Sequence, residues 1–451
     1  MKHADVIIVG GSAAGIEAAR TARQFYPEKS VAVIRRERRT LVPCGIPYVM
    51  GTLDSIEKDV MPDGLLGDAE LVLGDVVALD RDARTLQLAG GRTMGYEKLI
   101  LATGSQPLVP PIPGVDLENV FTVRKDMQYL ETLRSALARA RSVVIVGGGF
   151  IGAEFADECH KMGLDVTIVE LLEHCLYMNC DVESCIELED RLKETGVHVN
   201  TDSRVQAIVG DGTVTHVECI DGRRLDADVV ILAVGVKPNT ELATDSGLRT
   251  GDCGGIVVDQ FMRTADPDVF AIGDCAEKHC FFTNESVPIW LASVATREAR
   301  IAAANLYDPR RRRNQGTLGV FSTMIAGTAV AAAGLTERTA RKAGFELVIG
   351  EASAVDKHPG TMPEARTLSV KLIFNAGTRK LMGGEACGGP SAGETANVIA
   401  QAIASGSTAE DLAISHIGTH PALTASPVLY QVVNAAEDAV GRMRPERVAT
   451  G

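Results

Sequence analysis

The 451-residue sequence has no long apolar run: its longest mild stretch, Val320 to Leu335, is broken by Ser, Thr and Gly. That falls short of the roughly 18–20 residues a membrane-spanning helix needs, which argues against a membrane protein. Basic residues are in deficit, with 45 Lys and Arg against 59 Asp and Glu and a formal charge of −14. Such a chain repels phosphate backbones and anionic lipid, so nucleic acid is not an expected partner. Arg310 to Arg313 form a basic run after Tyr307-Asp308-Pro309 and read as a solvated loop. Residues Met1 to Asp5 lack a basic n-region, a long apolar region and a small-residue cleavage site, so a soluble, cytoplasmic chain is expected. Ten cysteines are scattered along the sequence, without the density of a disulfide framework. Cys175 and Cys180 sit in one loop and read as inert thiols. No metal site is expected, and disorder is expected only over the last six or so residues.

What is present is a repeated architecture. The apolar run Asp5 to Val9 ends at Gly10-Gly11 and has no helical period, as a buried parallel strand requires. Helical spacing follows over 13–26, then a second strand over 30–34. The same βαβ order recurs as a strand over 142–146, a Gly-rich turn, a helix over about 150–162 and a strand over 166–169. The Pro-rich segment 106–114 reads as an exit between domains. From Thr317 onwards, strands near 318–333 and 367–376 alternate with helices near 336–343, 392–405 and 427–443. The expected fold class is α/β, with two Rossmann-like dinucleotide-binding domains followed by a C-terminal α+β domain.

Each βαβ unit opens on a nucleotide fingerprint. In the first, Gly10 permits a tight turn, Ser12, Ala13 and Ala14 line it, and Gly15 permits close helix–strand packing. The helix N-terminus then offers free N–H groups to a pyrophosphate. Arg35 occupies the position where an acid is expected, and Glu37 is the candidate ribose contact. The second fingerprint is Gly147, Gly149 and Gly152, with Phe150 and Ile151 between the last two and Glu170 ending the strand. An acid about 20 residues after the first Gly suits a ribose 2′-hydroxyl and repels a 2′-phosphate, which favours NADH over NADPH.

Three further motifs carry a family resemblance. Leu101-Ala102-Thr103-Gly104-Ser105, Ala233-Val234-Gly235-Val236-Lys237-Pro238-Asn239 and Val269-Phe270-Ala271-Ile272-Gly273-Asp274 are similar, in order and spacing, to motifs of the pyridine nucleotide–disulfide oxidoreductase superfamily. The resemblance covers essentially the whole chain. It implies FAD bound by residues 1–114 and 241–316, NADH bound by 115–240, and dimerisation through 317–451. Asp274 is implied to hold the ribityl–phosphate part of FAD, with Thr103, Gly104, Gly235 and Gly273 shaping the cofactor sites. Thr40-Leu41-Val42-Pro43-Cys44-Gly45-Ile46-Pro47-Tyr48 resembles the single-cysteine branch, which includes coenzyme A-disulfide reductases, sulfur and polysulfide reductases, NADH oxidases and peroxidases. The two-cysteine branch has a second Cys where Val49 stands here.

Cys44 lies just past the second strand, where a following helix would aim its N-terminus at the sulfur and lower the thiol pKa. A lone redox Cys must cycle with a thiol partner, or with peroxide through a sulfenic acid. Oxidase and peroxidase members carry a His where Ala13 stands, so the turn resembles the coenzyme A-disulfide and polysulfide reductases. Arg20, Arg23 and Thr40 are candidate substrate contacts, with coenzyme A a candidate ligand. Thr419-His420-Pro421 resembles the His-Pro element of the two-cysteine branch, where the His acts across the dimer. His420 is therefore the candidate general acid, with Tyr430 the alternative. Pro43 is placed beside the flavin, and Glu154 is expected to seat the nicotinamide. The expected activity is transfer of hydride from NADH through FAD to Cys44, which reduces a small disulfide, persulfide or polysulfide. The alternatives are an NADH oxidase or peroxidase and a non-catalytic flavin redox sensor.

Overall fold

The computed structural model describes residues 2–53, 55–308 and 311–443. Lys2–Val9, Ala13–Phe25 and Val31–Arg35 form the first βαβ unit. The two strands are parallel, with Val6 opposite Val31 and Val9 opposite Ile34. Val6, Ile7 and Ile8 have no solvent exposure, as expected of a strand covered on both faces. Thr93–Leu101 lies on the other side of Lys2–Val9. Val269–Ala271 pairs in parallel with Thr93–Leu101, far along the chain. The first sheet is therefore built from two separate stretches of sequence.

A five-stranded parallel sheet runs in the order His198–Asn200, Asp165–Val169, Ser142–Val146, Val229–Leu232, Val120–Thr122. Phe150–Lys161 is its fingerprint helix. The segment expected to mark a domain exit, 106–114, begins within the strand Ser105–Pro107, which pairs with Val236–Pro238 as a two-stranded ribbon. A three-stranded antiparallel sheet spans Val205–Asp211, Thr213–Cys219 and Arg224–Asp226.

The C-terminal sheet is antiparallel in the order Val320–Ile325, Thr328–Gly334, Leu381–Gly388, Thr367–Asn375, Leu347–Val355. Ala392–Ser405 and Gln431–Arg442 supply apolar faces to its core. The helix expected over 427–443 starts later, because Pro427–Leu429 is a separate 3-10 turn. Strands Leu347–Val355 and Leu381–Gly388 were not expected from sequence.

Among the described residues, no helix is long and apolar enough to cross a membrane. Arg310 lies outside the described residues, as do the final six. Arg311 and Arg312 place their guanidinium groups 5.5 and 5.1 Å from the Phe25 ring centre, so this basic run covers an aromatic side chain.

Candidate active site

The two fingerprints have matching geometry. Gly10 and Gly147 take φ of +114° and +105°, values that only glycine adopts without strain. A Cβ on Gly15 would stand 1.9 Å from the Gly10 carbonyl oxygen, and one on Gly152 would stand 1.9 Å from that of Gly147. Each helix is thus drawn against its own turn, with its first N–H groups directed out of the sheet. Ser12 is the N-cap of Ala13–Phe25 in extended geometry. Gly149 caps Phe150–Lys161, and a Cβ there would meet nothing within 4 Å. A phosphate has open access to that helix end.

Glu170 is buried at the end of Asp165–Val169 and accepts hydrogen bonds from the N–H groups of Gly148 (2.5 Å) and Leu172 (2.7 Å). Its carboxylate is fixed at the second Gly turn. The first site differs. Buried Arg35 covers Gly11, donates to Thr40 Oγ1 at 2.7 Å and to the Arg38 carbonyl at 2.9 Å. Thr40 in turn donates to the Gly11 carbonyl. Glu37 is exposed beside Arg36, 3.8 Å away.

The family motifs meet in space. Thr103 Oγ1 donates to the Asn239 carbonyl at 2.7 Å, and the Asn239 N–H donates to that of Gly104 at 2.9 Å. Gly104 and Gly235 both take positive φ. Gly273 approaches Ala14 so closely that a Cβ would stand 3.2 Å from the alanine methyl. Asp274 accepts from Ser105 Oγ at 2.7 Å and lies 3.8 Å from Lys125 Nζ.

Sequence reasoning missed what holds this turn. Lys278 and Glu298 form a 3.0 Å ion pair with side chains 2% and 0% exposed. Glu298 accepts from the Gly273 N–H, and Lys278 donates to the Gly273 and Ala276 carbonyls. These bonds offset part of the cost of burying the pair, although Glu298 Oε1 has no hydrogen-bond partner.

Cys44 is exposed, whereas the other nine cysteines are buried or half-buried and all ten are free. The expected helix at its sulfur is absent. Pro43–Gly45 and Pro47–Val49 are short 3-10 turns, because two prolines break the segment. The expected lowering of the thiol pKa is also overturned. Desolvation on its packed side raises it first and the Glu154 carboxylate second, with Lys125 opposing and Asp59 and Asp274 adding to the rise.

The Cys44 loop packs on the second fingerprint helix. Leu41, Ile46 and Val49 share one core with Ala153, Phe155 and Ala156. Glu158 accepts from the Thr52 N–H at 2.6 Å and from Thr52 Oγ1 at 2.8 Å. One turn earlier, Glu154 accepts from Thr323 Oγ1 at 2.8 Å, and burial pushes its carboxyl up to about 7. Phe150 stacks on Phe321 with centroids 4.4 Å apart. Exposed Ile151 follows it.

The remaining sequence-predicted residues lie elsewhere. Arg23 is committed to Asp68 and to the carbonyls of Pro27 and Lys29. Arg20 is 58% exposed, with Glu17 at 3.8 Å. His420 stands on an exposed run over 418–423, where its Nδ1 accepts from the Ala422 N–H. Tyr430 packs partly buried at the start of Gln431–Arg442. Cys175 and Cys180 are buried. Cys175 lies under Gly148, where a Cβ would meet its sulfur at 2.6 Å.

Comparison with known proteins agrees with this geometry. The chain is 31% identical over 433 residues to an NADH oxidase of Enterococcus faecalis, covering 92% of this chain and 95% of that one. It is 32% identical over 396 residues to an NAD(P)H coenzyme A polysulfide/persulfide reductase of Pyrococcus horikoshii, covering 85% and 87%. The structure of an NAD-dependent persulfide reductase from A. fulgidus matches with a TM-score of 0.89 at 29% identity, over 97% of this chain and 83% of that one. Residues 4–299 match the family model described as pyridine nucleotide-disulphide oxidoreductase, and 320–429 match that family's dimerisation domain. The family implies FAD and NAD(P)H, and the two tight turns, the open helix end at Gly149 and the acids Glu170 and Asp274 fit those groups. The chain belongs to the pyridine nucleotide-disulphide oxidoreductase family and is an oxidoreductase.

Proposed function

We propose that this protein is a dimeric, FAD-dependent NADH reductase of small disulfides, persulfides or polysulfides, with coenzyme A disulfide among its candidate substrates and Cys44 as its redox sulfur. The observation that carries the reading is the position of Cys44. It is the exposed thiol of the chain, and the charges facing it come from the second fingerprint helix (Glu154), the Asp274 turn and Lys125. Residues 1–114 and 241–316 hold FAD in this reading, 115–240 hold NADH and 317–451 form the dimer contact.

FAD, when bound, supplies the two-electron chemistry that links NADH to sulfur. The chain's own residues bind and orient. Gly10, Ser12, Ala13, Ala14, Gly15, Pro43, Thr103, Gly104, Gly273 and Asp274 hold the flavin nucleotide, with Arg35 and Glu37 at its ribose end. Gly147, Gly149, Ile151, Gly152 and Gly235 hold NADH. Glu170 receives its ribose, and its negative charge disfavours NADPH. Phe150 lies at the mouth of the nicotinamide site and Glu154 seats the ring. Arg20, rather than the committed Arg23, is free to meet a substrate phosphate, with Thr40 nearby in sequence to the Cys44 turn. His420 of the partner subunit protonates the leaving thiolate, with Tyr430 the alternative acid.

Cys44→Ser tests this reading. The variant is expected to lose disulfide turnover while NADH still bleaches the flavin in single-turnover mixing. Undiminished disulfide reduction by Cys44→Ser would sink it. The NADH oxidase relative supports a second reading, in which oxygen is the acceptor. NADH consumption that needs oxygen and ignores added disulfide would select it. Negligible turnover with every acceptor would select the redox sensor.

A further inference from the structure

Beside Cys44 stands a carboxyl that no cofactor motif accounts for. The Val42 N–H donates to the Asp59 carbonyl at 2.8 Å, the Met61 N–H donates to that of Thr40, and Leu41 bridges to Val60. This short ladder fixes Asp59 against the Cys44 turn. Its side chain presses on the next residue, because a Cβ on Gly45 would stand 1.8 Å from Asp59 Oδ1. Asp59 is 4% exposed, and its buried Oδ2 has no hydrogen-bond partner.

A buried carboxyl without a donor is costly. Its neighbours Leu41, Ile46, Val49 and Ile56 are apolar, and an uncharged side chain would suit them better. Burial alone pushes the Asp59 carboxyl up to about 6. Four charged groups face Cys44: Glu154 from Phe150–Lys161, Asp274 from its turn, Lys125 from the segment before Met127–Leu137, and Asp59 from the loop itself. Two adjoining acids in a desolvated site do not both ionise readily, and their protonation is coupled.

We propose that Asp59 is a positioning residue for the Cys44 sulfur: the two groups share one proton, which rests on Cys44 in the reduced enzyme, passes to Asp59 as the thiolate forms, and leaves with the thiol product when Cys44 enters a disulfide. The step balances as Cys44–S⁻ + Asp59–COOH + R–S–S–R → Cys44–S–S–R + RSH + Asp59–COO⁻. The Cys44 sulfur forms a new S–S bond, the substrate S–S bond breaks, and the proton Asp59 loses equals the one the leaving thiolate gains. NADH with one solvent proton then returns the pair to Cys44–SH and Asp59–COO⁻, releasing the second RSH and NAD⁺. Because the Asp59 carboxylate repels the thiolate, it also keeps resting Cys44 in the thiol form.

This inference rests on Cys44 being the redox sulfur, which Cys44→Ser tests separately. The test of Asp59 is the pH profile of Cys44 alkylation by iodoacetamide in the FAD-loaded protein, with Cys44→Ser as the blank for other cysteines. Asp59→Asn is expected to move the profile to lower pH, raising the rate at pH 7 by roughly threefold to tenfold. It should also sharpen the profile to a single-proton curve. An unchanged profile, or slower alkylation, overturns the proposal. A second measurement keeps it falsifiable if Asp59→Asn does not fold. In Glu154→Gln, which removes the other acid facing the sulfur from the helix, infrared difference spectra of reduced minus disulfide-treated protein at pH 7 should show an S–H stretching band. The band should be absent when Cys44→Ser is added. Its absence with Cys44 present overturns the proposal.

Discussion

Glu170 does two things at once. Its carboxylate ties the N–H groups of Gly148 and Leu172 and, in the proposed function, accepts a hydrogen bond from a ribose hydroxyl and repels a 2′-phosphate. Glu170→Gln keeps the shape and removes the charge. The expected outcome is a fall in the NADH:NADPH ratio of kcat/KM by about tenfold, carried mainly by weaker NADH binding. Steady-state kinetics with both nucleotides checks this, and an unchanged ratio assigns specificity elsewhere. Glu170 and the fingerprint glycines were legible in the sequence because backbone geometry leaves few residue types able to stand there. Asp59 and the Lys278–Glu298 pair were not. Their meaning lies in burial and in contacts that spacing does not encode, as when Gly45 gives Asp59 its room.

At the scale of elements, Phe150–Lys161 links the second glycine turn to the Cys44 loop. Phe150, Glu154 and Glu158 recur every four residues and so share one face. They meet Phe321, Thr323 and Thr52 respectively. Glu158 is 1% exposed and also holds Lys161 at 2.7 Å. Glu158→Gln is expected to cost about 1–3 kcal/mol and to loosen the Cys44 loop. A lower urea midpoint together with faster Cys44 alkylation checks this, and a midpoint shift with no change in alkylation confines Glu158 to stability. The βαβ units were legible at this scale, since strand and helix periods differ sharply there. Leu381–Gly388 was not, because Gly383 and Gly384 lack the side chains that mark a strand. Close packing is the reason, as a Cβ on Gly383 would stand 1.9 Å from the Leu335 carbonyl oxygen.

At the scale of the whole molecule, a buried polar cluster joins the second nucleotide fold to the C-terminal sheet. Glu385, 4% exposed, accepts from the Asp181 N–H at 2.6 Å and from Ser184 Oγ at 2.7 Å. Lys371 lies 3.2 Å from Asp181 and 3.0 Å from Glu337. Burial, reinforced by Asp181, pushes the Glu385 carboxyl from 4.5 up to about 7. A carboxyl whose folded pKa is raised contributes its full stability below the unfolded value, and that contribution is lost as pH rises through the folded value. The window here runs from about 4.5 to 7, and the loss is at most on the order of 3 kcal/mol. Glu154 and Asp59, pushed up to about 7 and about 6, titrate in the same direction. Glu385→Gln retains both of those groups and cannot ionise at its own position. Any stability advantage of the wild type over this variant is therefore expected to shrink, or reverse, between pH 5 and pH 8. Thermal melts of the two proteins across that range check it. A constant difference would mean that Lys371 keeps Glu385 ionised throughout, and that the cluster joins the two folds as a salt bridge rather than as a neutral acid.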